Sequence, residues 1–297
     1  MARVAVTGSS GLIGSALVSS LRSGGHEVIR CVRRPAANAN ELQWDPQAGT
    51  IDRDRLAGVD AVVHLAGAGV GDHRWTSSYK KEILQSRALG TATIANAVAQ
   101  SQSRPALICA SAVGFYGDTG TQLVTEEMPK GQGFLCDVVQ AWEAAADPAR
   151  EAGLRVAHIR SGLVMSPSGG AWQRMLPLFK AGLGGRMGSG QQYWSFISLT
   201  DEIRAIEFLI NHLQASGIFN LTAPNPVTNA EATRVLAAAL HRPAKLPAPA
   251  AMLKIALGEF STEVLKSTRV VPQHLQNLGF EWSHPTIESA TQSLLSQ

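Results

Sequence analysis

The sequence predicts an α/β fold: a doubly wound parallel sheet followed by a smaller C-terminal α/β domain. Apolar strand patterns alternate with amphipathic helix patterns along most of the chain, which is typical of a parallel sheet covered by helices. The chain opens on a strand that passes through a glycine-rich loop directly into a helix. From residue 243 onward five prolines separate short helical stretches, so this part cannot be a regular βα unit.

Length and composition narrow the class of protein. A chain of 297 residues with 45% hydrophobic and 16% charged residues indicates a soluble globular protein with a sizeable core. The net charge of +3 is too small to indicate nucleic acid or a membrane surface as a partner. No apolar run reaches the roughly 18 residues of a membrane span, and a strand at the very start leaves no room for a signal peptide.

The cysteines indicate the compartment. Cys31, Cys109 and Cys136 are odd in number and lack metal-ligand spacing. We therefore expect buried free thiols, no metal site and a reducing cytoplasm.

The glycine-rich loop is the strongest functional signal. Residues 3–6 predict a strand, and the helix pattern begins at residue 12, with glycines at three-residue spacing between them. Such a turn aims backbone N–H groups and a helix N-terminus at one point, which suits an anionic pyrophosphate. The alternative is a plain flexible turn. The predicted cofactor-binding residues of this loop are Gly8, Ser9, Ser10, Gly11, Leu12, Ile13 and Gly14.

The second predicted strand, residues 27–32, indicates which dinucleotide binds. An acid at the end of this strand bonds the adenosine ribose in NAD-preferring proteins. Here Val32 holds that position and Arg33 and Arg34 follow it. Arginine pairs with a 2′-phosphate that a carboxylate would repel, so we predict NADP(H). The alternative is that both arginines only open a solvated loop.

The remaining elements follow in order. Strands are expected at 61–65, 106–111, 155–160, 196–199 and 218–221, and helices at 76–99, 134–152 and 201–214, with Thr200 and Thr228 as N-caps. Residues 35–58 and 118–133 read as irregular. Residues 161–194 are rich in glycine, serine and methionine, which is typical of a binding loop or lid.

Several side chains point to the cofactor crevice. Leu65, Ala66 and Gly67 follow a strand, where small residues let a flat cofactor lie against the backbone. Arg87 falls on the inward face of a helix and needs an anion, either the cofactor or a carboxylate of Glu82 or Asp72.

Four sequence blocks resemble an extended short-chain dehydrogenase/reductase of the NAD(P)-dependent epimerase/dehydratase superfamily. They lie at residues 6–14, 60–67, 111–117 and 196–201. Motifs around Trp75, Glu82, Trp142 and Arg160, and a C-terminal block over 257–280, are similar to the branch called epimerase family proteins. The resemblance covers the whole chain.

The resemblance implies a Rossmann-like NADP-binding domain at 1–165 and 195–223. Residues 166–194 and 224–297 would form the substrate-binding, family-specific domain. It also implies cofactor contacts at Glu82, Arg87 and Val164. Extended members are often dimers that pair two long helices, so a homodimer is an assembly that the analogy allows.

One departure from the family pattern changes the expected chemistry. The family's Tyr-x-x-x-Lys pair aligns with Leu135 and Val139, and neither side chain can move a proton. Ser111 remains, and we expect it to hydrogen-bond a substrate carbonyl or hydroxyl. Tyr116 is either a substitute proton donor or a pocket wall, and Cys136 either a donor or a buried thiol. A dehydratase's Asp-Glu pair is also missing, which argues against sugar dehydration.

Aromatic side chains with few charges predict a pocket for a flat or apolar small molecule. The candidates are Trp75, Phe115, Trp172, Gln192 and Trp194, with core packing as the alternative for Trp172 and Trp75. Together these observations predict an NADP(H)-dependent oxidoreductase or epimerase-like protein acting on an unidentified small molecule. The alternatives are a catalytically silent NADPH-binding sensor and a scaffold that acts through the C-terminal domain.

Overall fold

The computed structural model describes all 297 residues. Twelve strands are present: β1 (Arg3–Thr7), β2 (Glu27–Val32), β3 (Glu41–Asp45), β4 (Thr50–Ile51), β5 (Ala61–His64), β6 (Ala106–Ala112), β7 (Val156–Ser161), β8 (Leu163–Met165), β9 (Tyr193–Trp194), β10 (Phe196–Ser198), β11 (Gly217–Leu221) and β12 (Val227–Thr228). The α-helices are α1 (Leu12–Ser23), α2 (Ser77–Ala99), α3 (Phe134–Ala144), α4 (Asp147–Glu151), α5 (Gly170–Lys180), α6 (Leu199–Asn211), α7 (Asn229–Ala239), α8 (Ala250–Leu257), α9 (Ser261–Leu265), α10 (Gln273–Asn277) and α11 (Ile287–Ser296).

An eight-stranded sheet organises the molecule, with the order β11-β7-β6-β5-β1-β2-β3-β4. Every neighbouring pair is parallel except β3 and the short β4. From β1 the chain first adds β2 and β3 on one side, then crosses back to add β5, β6 and β7 on the other. The order therefore reverses between β1 and β5, where open α/β sheets bind ligands beyond the carboxyl ends of their strands.

Apolar side chains cover both faces of this sheet. Residues such as Val4 and Val63 pack on one face beneath α1 and α6, and Ala5 and Val62 pack on the other face beneath α2 and α4. A third core lies around Trp172 in the C-terminal half. The predicted fold class is therefore confirmed, while the division into two domains stays a prediction. None of the helices combines the length and apolarity needed to cross a membrane.

Residues 35–58, predicted to be irregular, contain β3 and β4. β3 carries Leu42 and Trp44 into the core as the seventh strand of the sheet. Five residues with polar neighbours give too short a pattern to recognise, because the strand is stabilised mainly by its pairing with β2. β3 also brings Glu41 beside Arg30 of β2.

Three other boundaries differ from the predictions. The single helix expected over 134–152 is two helices, and α4 starts with Pro148 in its first turn. Ser198 rather than Thr200 caps α6, because its Oγ accepts the N–H of Asp201 at 3.0 Å. The region 161–194 contains α5, β8 and β9 in addition to loops. Thr228 caps α7 as predicted.

Candidate functional site

The glycine-rich loop forms a tight cradle at the switch point. Gly8 has φ +64°, and a Cβ there would lie 2.8 Å from the carbonyl carbon of Leu65. A Cβ on Gly14 would lie 2.1 Å from the carbonyl oxygen of Gly8, so α1 packs against the loop only because position 14 has no side chain. Gly11 precedes α1 without any side-chain cap, which leaves the helix N–H groups available to a ligand.

The loop after β5 is tied directly to this cradle. The hydroxyl oxygen of Thr7 accepts the backbone N–H groups of Leu65 and Ala66 at 3.1 and 3.3 Å. Both predicted backbone contact regions therefore face one crevice. Val164 packs against the same core as Ile13 on the α1 side of the sheet, and its contact with the cofactor stays a prediction.

Arg87 is a half-buried cation without a carboxylate partner. Its Nη1 donates to the carbonyl of Ile83 at 3.1 Å, and its guanidinium lies 4.9 Å from the ring centroid of Trp142. Burial lowers its pKa to about 10. The alternative of a salt bridge is wrong, because Asp72 pairs with Arg174 at 3.4 Å and Glu82 is exposed on α2 without pairing Arg87.

This arginine lies against the crevice. A Cβ on Gly67 would be 3.4 Å from the Arg87 side chain, so the cation borders the loop after β5. The uncapped N-terminus of α1 and the unpaired charge of Arg87 both fit a pyrophosphate-linked dinucleotide. Glu82 is exposed on α2 and forms no ion pair, and its contact with the cofactor stays a prediction.

Arg33 and Arg34, which follow β2 and were both predicted to bind the cofactor, have different surroundings. Arg33 is exposed and forms no ion pair. Arg34 donates to both carboxylate oxygens of Glu41, at 2.7 and 2.6 Å, so the prediction that it binds the cofactor is corrected to a structural role. Hydrogen bonds from Arg34 and from the N–H of Ala37 lower the pKa of Glu41 to about 2.

Arg30 is a candidate that the sequence analysis missed. Its Nε donates to the Oγ of Ser9 at 3.3 Å, and its Nη1 lies 4.0 Å from Glu41. Strand alternation could have found it, since residue 30 lies on the same face of β2 as Val32, two positions before the diagnostic strand end.

A buried polar network occupies the carboxyl ends of β6 and β7. Arg160 donates to both carboxylate oxygens of Glu143 at 2.8 Å, and their side chains are only 4% and 11% exposed. Ser111 donates to the same carboxylate at 2.5 Å. Tyr116 accepts from Arg160 at 2.9 Å and donates to the amide oxygen of Asn220 at 2.8 Å.

The ionised carboxylate of Glu143 determines what Ser111 can do. Burial opposes ionisation, but the hydrogen bonds and charge of Arg160 outweigh it, so the pKa of Glu143 lies below its ordinary value. A carboxylate only accepts, so the hydroxyl hydrogen of Ser111 is committed to it. Ser111 can accept from a substrate hydroxyl, but the prediction that it donates to a carbonyl needs correction.

The other two candidate proton donors are enclosed. Burial raises the pKa of Tyr116 despite the neighbouring Arg160, and its hydroxyl is used within the network. Burial also raises the pKa of the Cys136 thiol, which donates to the carbonyls of Gly114 and Gln132 at 3.2 Å. Val139 is buried on α3, and Leu135 packs against Gly114. None of these groups is placed to deliver a proton.

The five predicted substrate residues do not form one pocket. Trp75 belongs to a separate cluster, packing on Phe134 with 5.0 Å between ring centroids. Phe115 lies 3.5 Å beneath the guanidinium of Arg160.

The other three predicted substrate residues lie together in the C-terminal half. Trp172 is buried and meets Trp194 edge to face at 6.2 Å. Gln192 is buried and donates to the carbonyl of Met187 at 3.0 Å. Trp172 and Trp194 line one small cavity together, so their role as substrate residues stays a prediction.

Comparison with known proteins identifies the family. The profile of the NAD dependent epimerase/dehydratase family matches residues 4–222, and that of a domain of unknown function, DUF1731, matches residues 248–294. Epimerase family protein Mb2239 of Mycobacterium bovis is 46% identical over 288 residues, which cover 97% of this chain and 95% of the relative.

Two further relatives extend the comparison beyond bacteria. The chloroplastic SDR39U1 homolog of Arabidopsis thaliana, named an epimerase family protein, is 35% identical over 98% of this chain and 86% of its own. The crystal structure of human epimerase family protein SDR39U1 (isoform 2) with NADPH superposes with a TM-score of 0.89 at 31% identity, covering 99% of both chains. The chain therefore belongs to the NAD-dependent epimerase/dehydratase family, carries its NAD(P)-binding Rossmann-like fold, and ends in a DUF1731 domain.

Proposed function

We propose that this protein binds NADPH in the crevice between the glycine-rich loop and the loop after β5. The observation that carries this proposal is the set of unpaired cations along the crevice. Arg87 borders Gly67 without a carboxylate, and Arg33 is free beside the position where an NAD-preferring protein has an acid. The NADPH in the crystal structure of the human relative supports the same cofactor.

The proposed activity is reduction of a small molecule by hydride transfer. NADPH supplies the hydride when bound, and the protein binds and orients it. Because Leu135 and Val139 replace the usual proton-transfer pair, an activated carbonyl or conjugated double bond suits this site better than a sugar. The alternative is an NADPH-binding protein without turnover. The presence of Leu135 and Val139 in place of the proton-transfer pair also favours this alternative.

Nucleotide analysis and a turnover assay separate these two candidates. We expect NADPH to co-purify with the protein or to bind it in preference to NADH. If the protein is a reductase, we expect the absorbance of NADPH to fall when a quinone, an α-dicarbonyl or an enone is added. Tight NADPH binding without turnover of any of the three would instead support the sensor, and no binding at all would refute both.

Substitution of Arg33 tests the source of cofactor preference. Arg33→Ala should raise the Kd for NADPH by about 10- to 100-fold, because it removes a charged hydrogen-bond donor from the 2′-phosphate. The Kd for NADH should stay within about twofold. Binding would be followed by the fluorescence of both nucleotides, with Arg234→Ala on α7, an exposed arginine, as the control. Equal losses for both nucleotides would contradict phosphate recognition by Arg33.

A further inference from the structure

Two serine–carboxyl pairs stand at the carboxyl ends of neighbouring strands. Ser111 near the end of β6 bonds Glu143 of α3. Ser161 is the last residue of β7, and its Oγ lies 2.6 Å from Oε1 of Glu202 on α6. In the sheet register Ala112 pairs with Ser161, so the two serines lie at the carboxyl edge of the sheet, on the two strands that come after β5 in the sheet order.

The two carboxyl groups have opposite surroundings. Glu143 is held as an anion by Arg160. Glu202 is 0% exposed and forms no ion pair, and its Oε2 has no hydrogen-bond partner. The adjacent Asp201 has its own partners. It pairs with Arg204 and accepts the backbone N–H groups of residues 283 and 284, which lie between α10 and α11.

A buried carboxyl without a cation stays neutral. Burial raises the pKa of Glu202 to about 8, and only the hydrogen bond of Ser161 acts in the other direction. A protonated carboxyl can donate its hydrogen to the Oγ of Ser161. The hydroxyl hydrogen of Ser161, which is half-buried at the strand end, is then available to a substrate.

The two pairs therefore differ in the direction in which they offer a proton. Ser111 must donate to an anion and can only accept from a substrate. Ser161 can receive from a neutral acid and donate onward. Two carboxyl groups whose pKa values are separated by their environments are the usual arrangement in sites that need both an acid and an acceptor.

We propose that Ser161, backed by Glu202, is the proton donor of this site and takes the place of the missing tyrosine. The proposal rests on the reductase function above. As the substrate carbon gains the hydride, the C=O π pair moves to oxygen and that oxygen takes the hydroxyl proton of Ser161. Ser161 takes the proton of Glu202, which becomes a carboxylate and regains a proton from water after product leaves.

Infrared spectroscopy tests the pair without requiring a known substrate. At pH 7 the wild-type protein should show the C=O band of a protonated carboxyl, and adding NADPH should shift it, because the nucleotide changes the surroundings of Ser161. Glu202→Gln should remove the band. Ser161→Ala should keep a band that no longer responds to NADPH. Glu207→Gln, on the same helix but partly exposed, is the matched control and should leave the response intact.

A kinetic test uses whichever quinone, dicarbonyl or enone the wild type reduces. Ser161→Ala and Glu202→Gln should each lower kcat by about 100-fold or more, with KM and the Kd for NADPH within about twofold. Ser161→Thr, which keeps the hydroxyl, should restore kcat to within about tenfold of wild type. Melting temperatures show whether each variant folds.

The outcomes distinguish the proposal from the function on which it rests. If wild-type protein fails to bind NADPH, the proposed function is wrong and the donor assignment falls with it. If NADPH binds but the carboxyl band is absent, does not respond, or responds equally in Ser161→Ala, the donor assignment alone is overturned. Unchanged kcat in Ser161→Ala would overturn it as well.

Discussion

Arg160→Met is expected to lower the free energy of unfolding by about 3–5 kcal/mol, because it leaves a buried carboxylate without its cation. Glu143 would keep only the hydrogen bond of Ser111. Tyr116 would lose its donor and keep only Asn220. Removing one partner of a buried pair costs more than the pair contributes, since the remaining charge still has to stay desolvated.

Urea unfolding of a matched set measures this effect. The double variant Arg160→Met with Glu143→Met should recover part of the loss, since neither charge then remains buried. Arg174→Met is the control: its ion pair with Asp72 is longer, at 3.4 Å against 2.8 Å, and its side chains are 59% and 60% exposed. That variant should lose no more than about 1 kcal/mol. A loss as small in Arg160→Met would show that Glu143 is not held as an anion.

Glu202 should make the protein less stable as pH rises from about 5 to about 8. Its pKa is raised from 4.5 to about 8 in the folded chain, so in this window the unfolded chain has released a proton that the folded chain still holds. Ionisation therefore favours unfolding, and this one group lowers the free energy of unfolding by about 1.4 kcal/mol per pH unit. Below pH 4.5 its contribution is fully present, and above about 8 no more is lost.

Glu202→Gln isolates this contribution from other titrating groups. Burial lowers the pKa of His64 to about 3 and that of His158 to about 4, so these two make stability rise with pH up to about 6.5. The wild-type curve combines both trends, whereas the difference between wild type and Glu202→Gln reports Glu202 alone. Glu207→Gln should leave the curve unchanged. A pH-independent difference between wild type and Glu202→Gln would mean that Glu202 is already ionised.

The sequence by itself determined the features that depend on neighbours along the chain. The glycine spacing and the strand-to-helix alternation predicted the fold and the crevice. Four sequence blocks predicted the family, and the absence of an acid at Val32 predicted the dinucleotide. Glycine positions such as Gly8 and Gly14 are readable because a backbone turn and a close approach exclude any side chain. The sequence also showed that Leu135 and Val139 replace the proton-transfer pair.

Only the tertiary structure decided which charges are paired. Arg34 and Arg33 are adjacent in sequence, yet β3 brings Glu41 to one of them and leaves the other free. Glu143 and Glu202 have the same side chain, but Glu143 is paired with Arg160, whereas the buried Glu202 contacts Ser161 and has no cation. Protonation state depends on desolvation and on partners far away in the chain, so the chemistry of this site emerges from the packing of its strands and helices.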